Sequence, residues 1–307
     1  MATILSETAA VRTTTQRAPR PSFLGIMRGE WIKLSRQWTF WIMLGLMVAG
    51  YVLFTLVLAG GGNLSNRIHR VPLEVLYTFM ESSLFLLRVF WGMMLIILTA
   101  RLIGMEYSGG TIRVLLARGV GRLQLLFAKL SVIALVALVG GALLLLFSAL
   151  CALIAVEATT GSLDVLKYAN ATFWQDTRAY IGSVLVSMGV SILLAAAVTT
   201  ATRSLAAGLS VSIAWFPVDN FSILLLVLGD RLTHWDFWSL VSGDFLGLNL
   251  NAMPALVLSD PKLSVVNSFL IPLTPVTAAH TLLVAGIYAL VFFVVMVALT
   301  ALPDVKE

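Results

Sequence analysis

Six long runs of this chain are almost free of charge and apolar on every side, and they constrain the fold more than any other feature. They lie at residues 40–59, 82–103, 130–156, 179–201, 205–228 and 276–302. A helix needs about 20 residues to cross the roughly 30 Å hydrocarbon core of a bilayer, and each run is of about that size. Lipid offers no partner for backbone N–H and C=O groups, so a spanning segment must satisfy them internally. The runs lack the strict alternation of a strand that faces lipid on one side and a lumen on the other, which argues against a β-barrel. The expected fold class is all-α: a polytopic membrane protein with six transmembrane helices. Composition agrees, since 59% of the 307 residues are hydrophobic and only 11% charged, against about a quarter charged in soluble domains.

The placement of Lys and Arg gives the orientation. With the N-terminus inside, thirteen of these residues fall on cytoplasmic segments and seven on outer ones (Arg67, Arg70, Arg88, Lys167, Arg178, Arg231 and Lys262). This is the bias of the positive-inside rule with both termini cytoplasmic. The net charge of +5 is thus a topology signal spread along membrane flanks, and no nucleic-acid partner is expected. The first apolar run is too long for a signal-peptide core and is expected to remain as a span of a cell (cytoplasmic) membrane protein. Residues 1–21, rich in Ser, Thr and Arg, read as a disordered cytoplasmic tail, and 22–307 as one transmembrane domain.

Residues 22–38 precede the first span. Phe23, Ile26, Met27, Trp31 and Leu34 recur at helical spacing while Arg28, Lys33 and Arg36 fall elsewhere on the wheel, the pattern of an amphipathic helix lying in the membrane interface. Between the second and third spans, Ser108-Gly109-Gly110 breaks the helix. Thr111 is placed to N-cap a short helix over Ile112 to Arg118, closed by Gly119. Such a stub, held between two long helices, can transmit a push where a floppy loop would absorb it. Charge alone does not separate it from an ordinary positive-inside loop.

The residues of this stretch, Glu106-Tyr107-x-x-Gly110-Thr111-Ile112-Arg113, followed by Leu115-Leu116, Arg118, Arg122 and Lys129, resemble the loop between the second and third spans of ABC type-2 exporter permeases. Glu30-Trp31-x-Lys33-Leu34 with Arg36 is similar to the segment that precedes their first span. The resemblance implies a coupling helix that docks on a separate ABC ATPase subunit, with ATP and Mg bound by that partner, and two permease copies, identical or related, in the working unit. Glu106, Tyr107, Gly110, Thr111, Arg113 and Arg118 are then the residues that contact or position the ATPase. The chain carries no G-x-x-x-x-G-K-S/T phosphate loop, as expected of a permease without its own ATPase site or cofactor.

Between the fifth and sixth spans, the aromatic stretch around Trp235, Phe237, Trp238 and Phe245 reads as re-entrant or interfacial outer helices, with Pro254, Pro261, Pro272 and Pro275 limiting helix length. Two intramembrane charges stand out, Arg88 in the second span and Asp219 in the fifth. An ionisable group in lipid is a functional candidate. Helical rise puts them at comparable depth, where they either pair or face one polar cavity, unless Arg88 snorkels outward. Ser183, Ser187 and Ser191 form a polar stripe suited to helix packing. His69, His234 and His280 have no metal-ligand spacing, and no catalytic constellation is present, which argues against an intramembrane enzyme. The leading expectation is the transmembrane subunit of an ATP-driven exporter. The alternative is a non-transporting membrane anchor or sensor of a complex.

Overall fold

The computed structural model describes residues 22–61, 64–260 and 270–302; the tail at 1–21, Pro261, Lys262 and the residues after 302 lie outside the described residues. All regular structure among the described residues is helical. Helix α1 (Phe23–Ser35) starts at an N-cap where Ser22 Oγ accepts from the Gly25 N–H. It leads into α2 (Trp38–Gly60), the first span. After α3 (Leu64–Arg70), the second span is built from α4 (Pro72–Leu86), a π turn (Leu87–Trp91) and α5 (Gly92–Ser108), which run on as one element. The short α6 (Thr111–Ala117) then leads to α7 (Arg122–Thr160), the third span. A 3₁₀ turn (Asp164–Tyr168) precedes α8 (Ala171–Thr202) and α9 (Leu205–Thr233), the fourth and fifth. Helices α10 (Phe237–Ser242) and α11 (Leu246–Val257) come before α12 (Ala278–Ala301), the sixth.

Among the described residues, six helices are therefore long and apolar enough to cross a membrane, at the six places the hydropathy indicates. Their ends differ from the expected ones. The helix that holds the second apolar run begins at Pro72, ahead of 82, that of the third at Arg122, ahead of 130, and that of the fourth at Ala171, ahead of 179. Hydropathy sees only the apolar part of each helix, whereas polar turns such as Pro72–Glu81 continue because they pack. There Tyr77 Oη donates to Asp176 Oδ2 at 2.7 Å, and Ser259 donates through both N–H and Oγ to Asp176 Oδ1. The fully buried Asp176 thus ties α4, α8 and the chain after α11 together at one end of the bundle.

The second span and α8 form the centre. Leu95, Leu98 and Ala100 of α5 and Ala195 and Ala196 of α8 have no solvent exposure at all. Helices in lipid gain little from hydrophobic burial against one another and associate through close packing at small residues. The tightest such contact is at Gly140 of α7, where a Cβ would stand 2.4 Å from Cζ2 of the fully buried Trp91. The Trp91 Nε1–H donates to the Ala137 carbonyl one turn away. By contrast α2, α9 and α12 keep long apolar faces on the outside, with Leu46, Leu225 and Leu290 all more than 60% exposed. Those are the faces a bilayer covers.

Adding one methyl at Gly140 must displace the Trp91 ring, and overpacking of that kind costs about 1–3 kcal/mol. Gly140→Ala is expected to lower the midpoint of thermal unfolding in detergent. Gly189→Ala, where a Cβ meets nothing within 4 Å, is expected to leave it in place. Equal midpoints would show that Trp91 is not wedged against α7.

Candidate functional site

The region between the second and third spans folds as a projecting stub. Helix α5 ends at Ser108, Gly109 accepts no further turn, and Gly110 adopts a left-handed conformation with φ 66°. That backbone reverses the chain within two residues and is open to glycine at little strain. It also takes the capping position: Gly110 is the N-cap of α6, and Thr111 is the first helical residue rather than the cap. Helix α6 ends at Ala117 with Arg118 as C-cap and Gly119 left-handed at φ 83°. None of its seven residues is buried, and Val114 is 52% exposed although apolar. A seven-residue helix with an uncovered apolar side chain is below the length that holds itself together in water. Its shape is imposed by the two long helices at its ends.

What fixes those ends is a buried cluster of four charges. Lys129 Nζ, near the start of α7, lies 2.6 Å from Glu30 Oε2 of α1 and 2.9 Å from Glu106 Oε1 of α5. It also donates to the Leu102 carbonyl at 2.8 Å. Lys33 of α1 closes the ring, 2.6 Å from Glu30 Oε1 and 3.0 Å from Glu106 Oε1. Two carboxylates and two ammonium groups leave the cluster neutral. Glu30, Glu106 and Lys129 are buried, while the Lys33 side chain is half exposed. Burial works against the Lys33 charge, but its hydrogen bonds to Glu30 and Glu106, with the charges of those carboxylates, outweigh it and hold its pKa above the ordinary lysine value. A raised pKa of this kind gives stability that is complete below the unfolded value and is lost only as pH rises through the folded one.

The site residues expected from the sequence therefore divide. Glu106 faces inward and is a positioning group, joined by Glu30, Lys33 and Lys129. Thr111, Arg113 and Arg118 are exposed on or beside α6. Tyr107, Gly110 and Arg113 also line a cavity of about 1180 Å³ behind the stub, with Arg122, Arg203 and Thr300 opposite. Arg122 Nη1 donates to the Leu302 carbonyl at 3.0 Å, so the end of α12 reaches the same region. In α1, Trp31 is exposed and Arg36 serves as the C-cap, while Leu34 and Glu30 face inward.

Arg88 and Asp219 lie in the wall of one small cavity with Ser187, Ser191, Asn220 and Asn251, and no ion pair joins them among the described contacts. Arg88 does not run outward along its stem; it is 93% buried, and its Nη2–H donates to Asn251 Oδ1 at 2.6 Å. Its Nη1–H goes to the Leu250 carbonyl. That carbonyl is the one that Pro254, four residues on, has no N–H to pair with. Helix α11 runs straight through Pro254, contrary to the expectation that this proline limits a helix, and Arg88 supplies the donor the proline lacks. Asp219 Oδ2 accepts from the Gly247 N–H at 2.6 Å, and the Trp215 side chain also bonds it. Asn251 in turn donates to Asn220 Oδ1 at 2.9 Å. Helix α11 is thus the bridge between the two charges, a part that hydropathy does not assign to the membrane interior.

No group of His, Cys, Asp and Glu able to hold a metal ion occurs among the described residues. His280 Nε2 sits 2.9 Å from the Gly243 carbonyl and joins α12 to the end of α10.

Removing one member of a buried ion pair leaves the other uncompensated, at about 3–5 kcal/mol. Lys129→Met is expected to lower the unfolding midpoint strongly. Lys33→Met, whose side chain is half in solvent, is expected to cost about 1 kcal/mol or less. Thermal unfolding of the two variants checks the order, and a Lys33 effect as large as that of Lys129 would contradict it.

Neither a curated protein nor a solved structure matches the chain. A family model described as ABC-2 family transporter protein matches residues 26–220. The match takes in Glu30, the whole stub, Lys129 and Asp219, and covers more than half of the sequence. With six spans and this match, the protein belongs to the ABC-2 transporter family as a multi-pass membrane permease.

Proposed function

We propose that the chain is the transmembrane subunit of an ATP-driven exporter, and that α6 is the coupling helix on which a separate ABC ATPase docks. ATP and Mg belong to that partner, and the working unit pairs two permease copies with two ATPases. The end of the bundle that carries α6 is then cytoplasmic, together with both chain ends. The excess of Lys and Arg on that side supports the orientation.

The observation that carries this reading is the rooting of α6. A stub with no buried residue of its own is bolted, through Glu106 and Lys129, to the ends of the second and third spans and, through Glu30, to α1. A partner pressing on it moves three long elements together. A passive anchor has no use for such rigidity, since any exposed loop serves to hold a complex.

The test is ATP turnover by the partner in the reconstituted complex. Val114 is exposed on a helix with no buried residue, so Val114→Asp is expected to fold normally, and the unfolding midpoint of Arg113→Glu is measured beside its turnover. Loss of a central interface contact is commonly worth 1–2 kcal/mol, so permease-dependent turnover should drop about tenfold. Unchanged turnover with both variants would favour the anchor or sensor instead.

A further inference from the structure

Midway along the second span, Leu87–Trp91 forms a π turn, an irregularity found mostly at functional sites. It divides two cavities. On one side is the polar pocket of Arg88, Asp219, Asn220 and Asn251, with room for about 30 Å³, little more than one water molecule or a single ligand oxygen. On the other is an apolar groove of about 500 Å³, walled by Met43, Met47 and Gly50 of α2, Phe90 and Met93 of the second span, and Phe216 of α9. Ile96 and Phe216 line both, so the two spaces abut.

The polar pocket has one unmet need. Asp219 is served by the Gly247 N–H and the Trp215 side chain. The Nη atoms of Arg88 are taken by neutral acceptors, and its buried Nε–H has no acceptor. Guanidinium does not lose its proton in proteins, so the site lacks an acceptor oxygen next to a full positive charge. The groove has the opposite character. Methionine side chains are flexible and polarizable and mould to apolar guests of varied shape. A helix of a second copy would fill the groove but bring no acceptor for Arg88, and a plain hydrocarbon fails in the same way.

We propose that the two cavities form one binding site for an amphiphile with a single alkyl tail and an oxyanion head, the tail in the methionine-lined groove and one head oxygen on Arg88. This deepens the exporter reading and rests on it for naming the amphiphile as cargo. Binding itself requires no ATPase.

The test uses the full chain in phosphatidylcholine nanodiscs with dodecyl phosphate that carries a diazirine at the tail end, irradiated and mapped by mass spectrometry. Adducts are expected on residues 43–51 and 86–97. Excess dodecyl phosphate or laurate should remove them, and dodecyltrimethylammonium should not. A Cβ at Gly50 meets nothing within 4 Å, so Gly50→Phe extends into the groove without a clash. It should lower labelling about tenfold at an unchanged unfolding midpoint, the effect of losing contact with about two methylenes of the tail. Arg88→Gln should abolish the preference for the anionic head, and if it fails to fold, Gly50→Phe still decides. Competition that ignores head charge, or labelling indifferent to Gly50→Phe, overturns the proposal. So does efficient disulfide linkage of two Gly50→Cys chains in a Cys151→Ser background, which would place the second copy in the groove. Because the nanodisc holds no ATPase, failure here leaves the coupling test standing, and failure of coupling leaves this one standing.

Discussion

Everything at the α6 end depends on the neutral quartet of Glu30, Lys33, Glu106 and Lys129. Four charges withdrawn from water are tolerable only because each has partners within 3.0 Å. Their mutual attraction does more to specify an arrangement than to stabilise it, since buried ion pairs often break even against apolar packing. What the quartet specifies is the junction of α1, α5 and α7. No apolar contact defines that junction as sharply, because Leu and Val surfaces slide over one another in lipid with little change in energy. Fixing this junction also fixes the two ends of α6, and therefore the direction in which the stub points.

The distribution of buried surface fits the same mechanical picture. The second span and α8 are enclosed by their neighbours, with Trp91 lodged against Gly140 and Asp176 holding α4 and α8 at the far end. Helices α2, α9 and α12 stand outside, and two of them, α2 and α9, wall the methionine-lined groove. Each of these flanking helices packs one face on the centre and leaves the other bare. The quartet joins the centre, through Glu106, to α7 through Lys129 and to α1, the helix that leads into the flanking α2, through Glu30 and Lys33.

The sequence made the six spans and the stub legible because both depend on local patterns: apolar run length in one case, a Gly-Gly break with a second glycine nine residues on in the other. It did not show how far three of the helices run past their apolar parts, because polar turns at helix ends hold through tertiary partners such as Tyr77 and Asp176. Thr111 looked like a cap, but the reversal needs a left-handed residue and Gly110 supplies it. The motif residues around Glu106 were visible, whereas the bonds of Glu106 to Lys33 and of Lys129 to Glu30 were not, since 73 and 99 residues separate those pairs. Pro254 misled in an instructive way. Read alone, a proline ends a helix. In the fold it frees the Leu250 carbonyl, and that carbonyl is one of the reasons a buried arginine is tolerable in the second span.

That last relation connects the two sites. Glu106 and Arg88 stand on one continuous element, eighteen residues apart, which at 1.5 Å per residue is about 27 Å. A regular helix carries an axial push over that distance as a rigid rod. The π turn at Leu87–Trp91 is where the rod departs from regularity. Arg88 lies inside that turn, held on its other side by Leu250 and Asn251 of α11. Arg88 is therefore the point at which the second span, rooted in the quartet near Glu106, is tied to α11. The quartet and the polar pocket thus share one helix, with its irregular turn at the pocket.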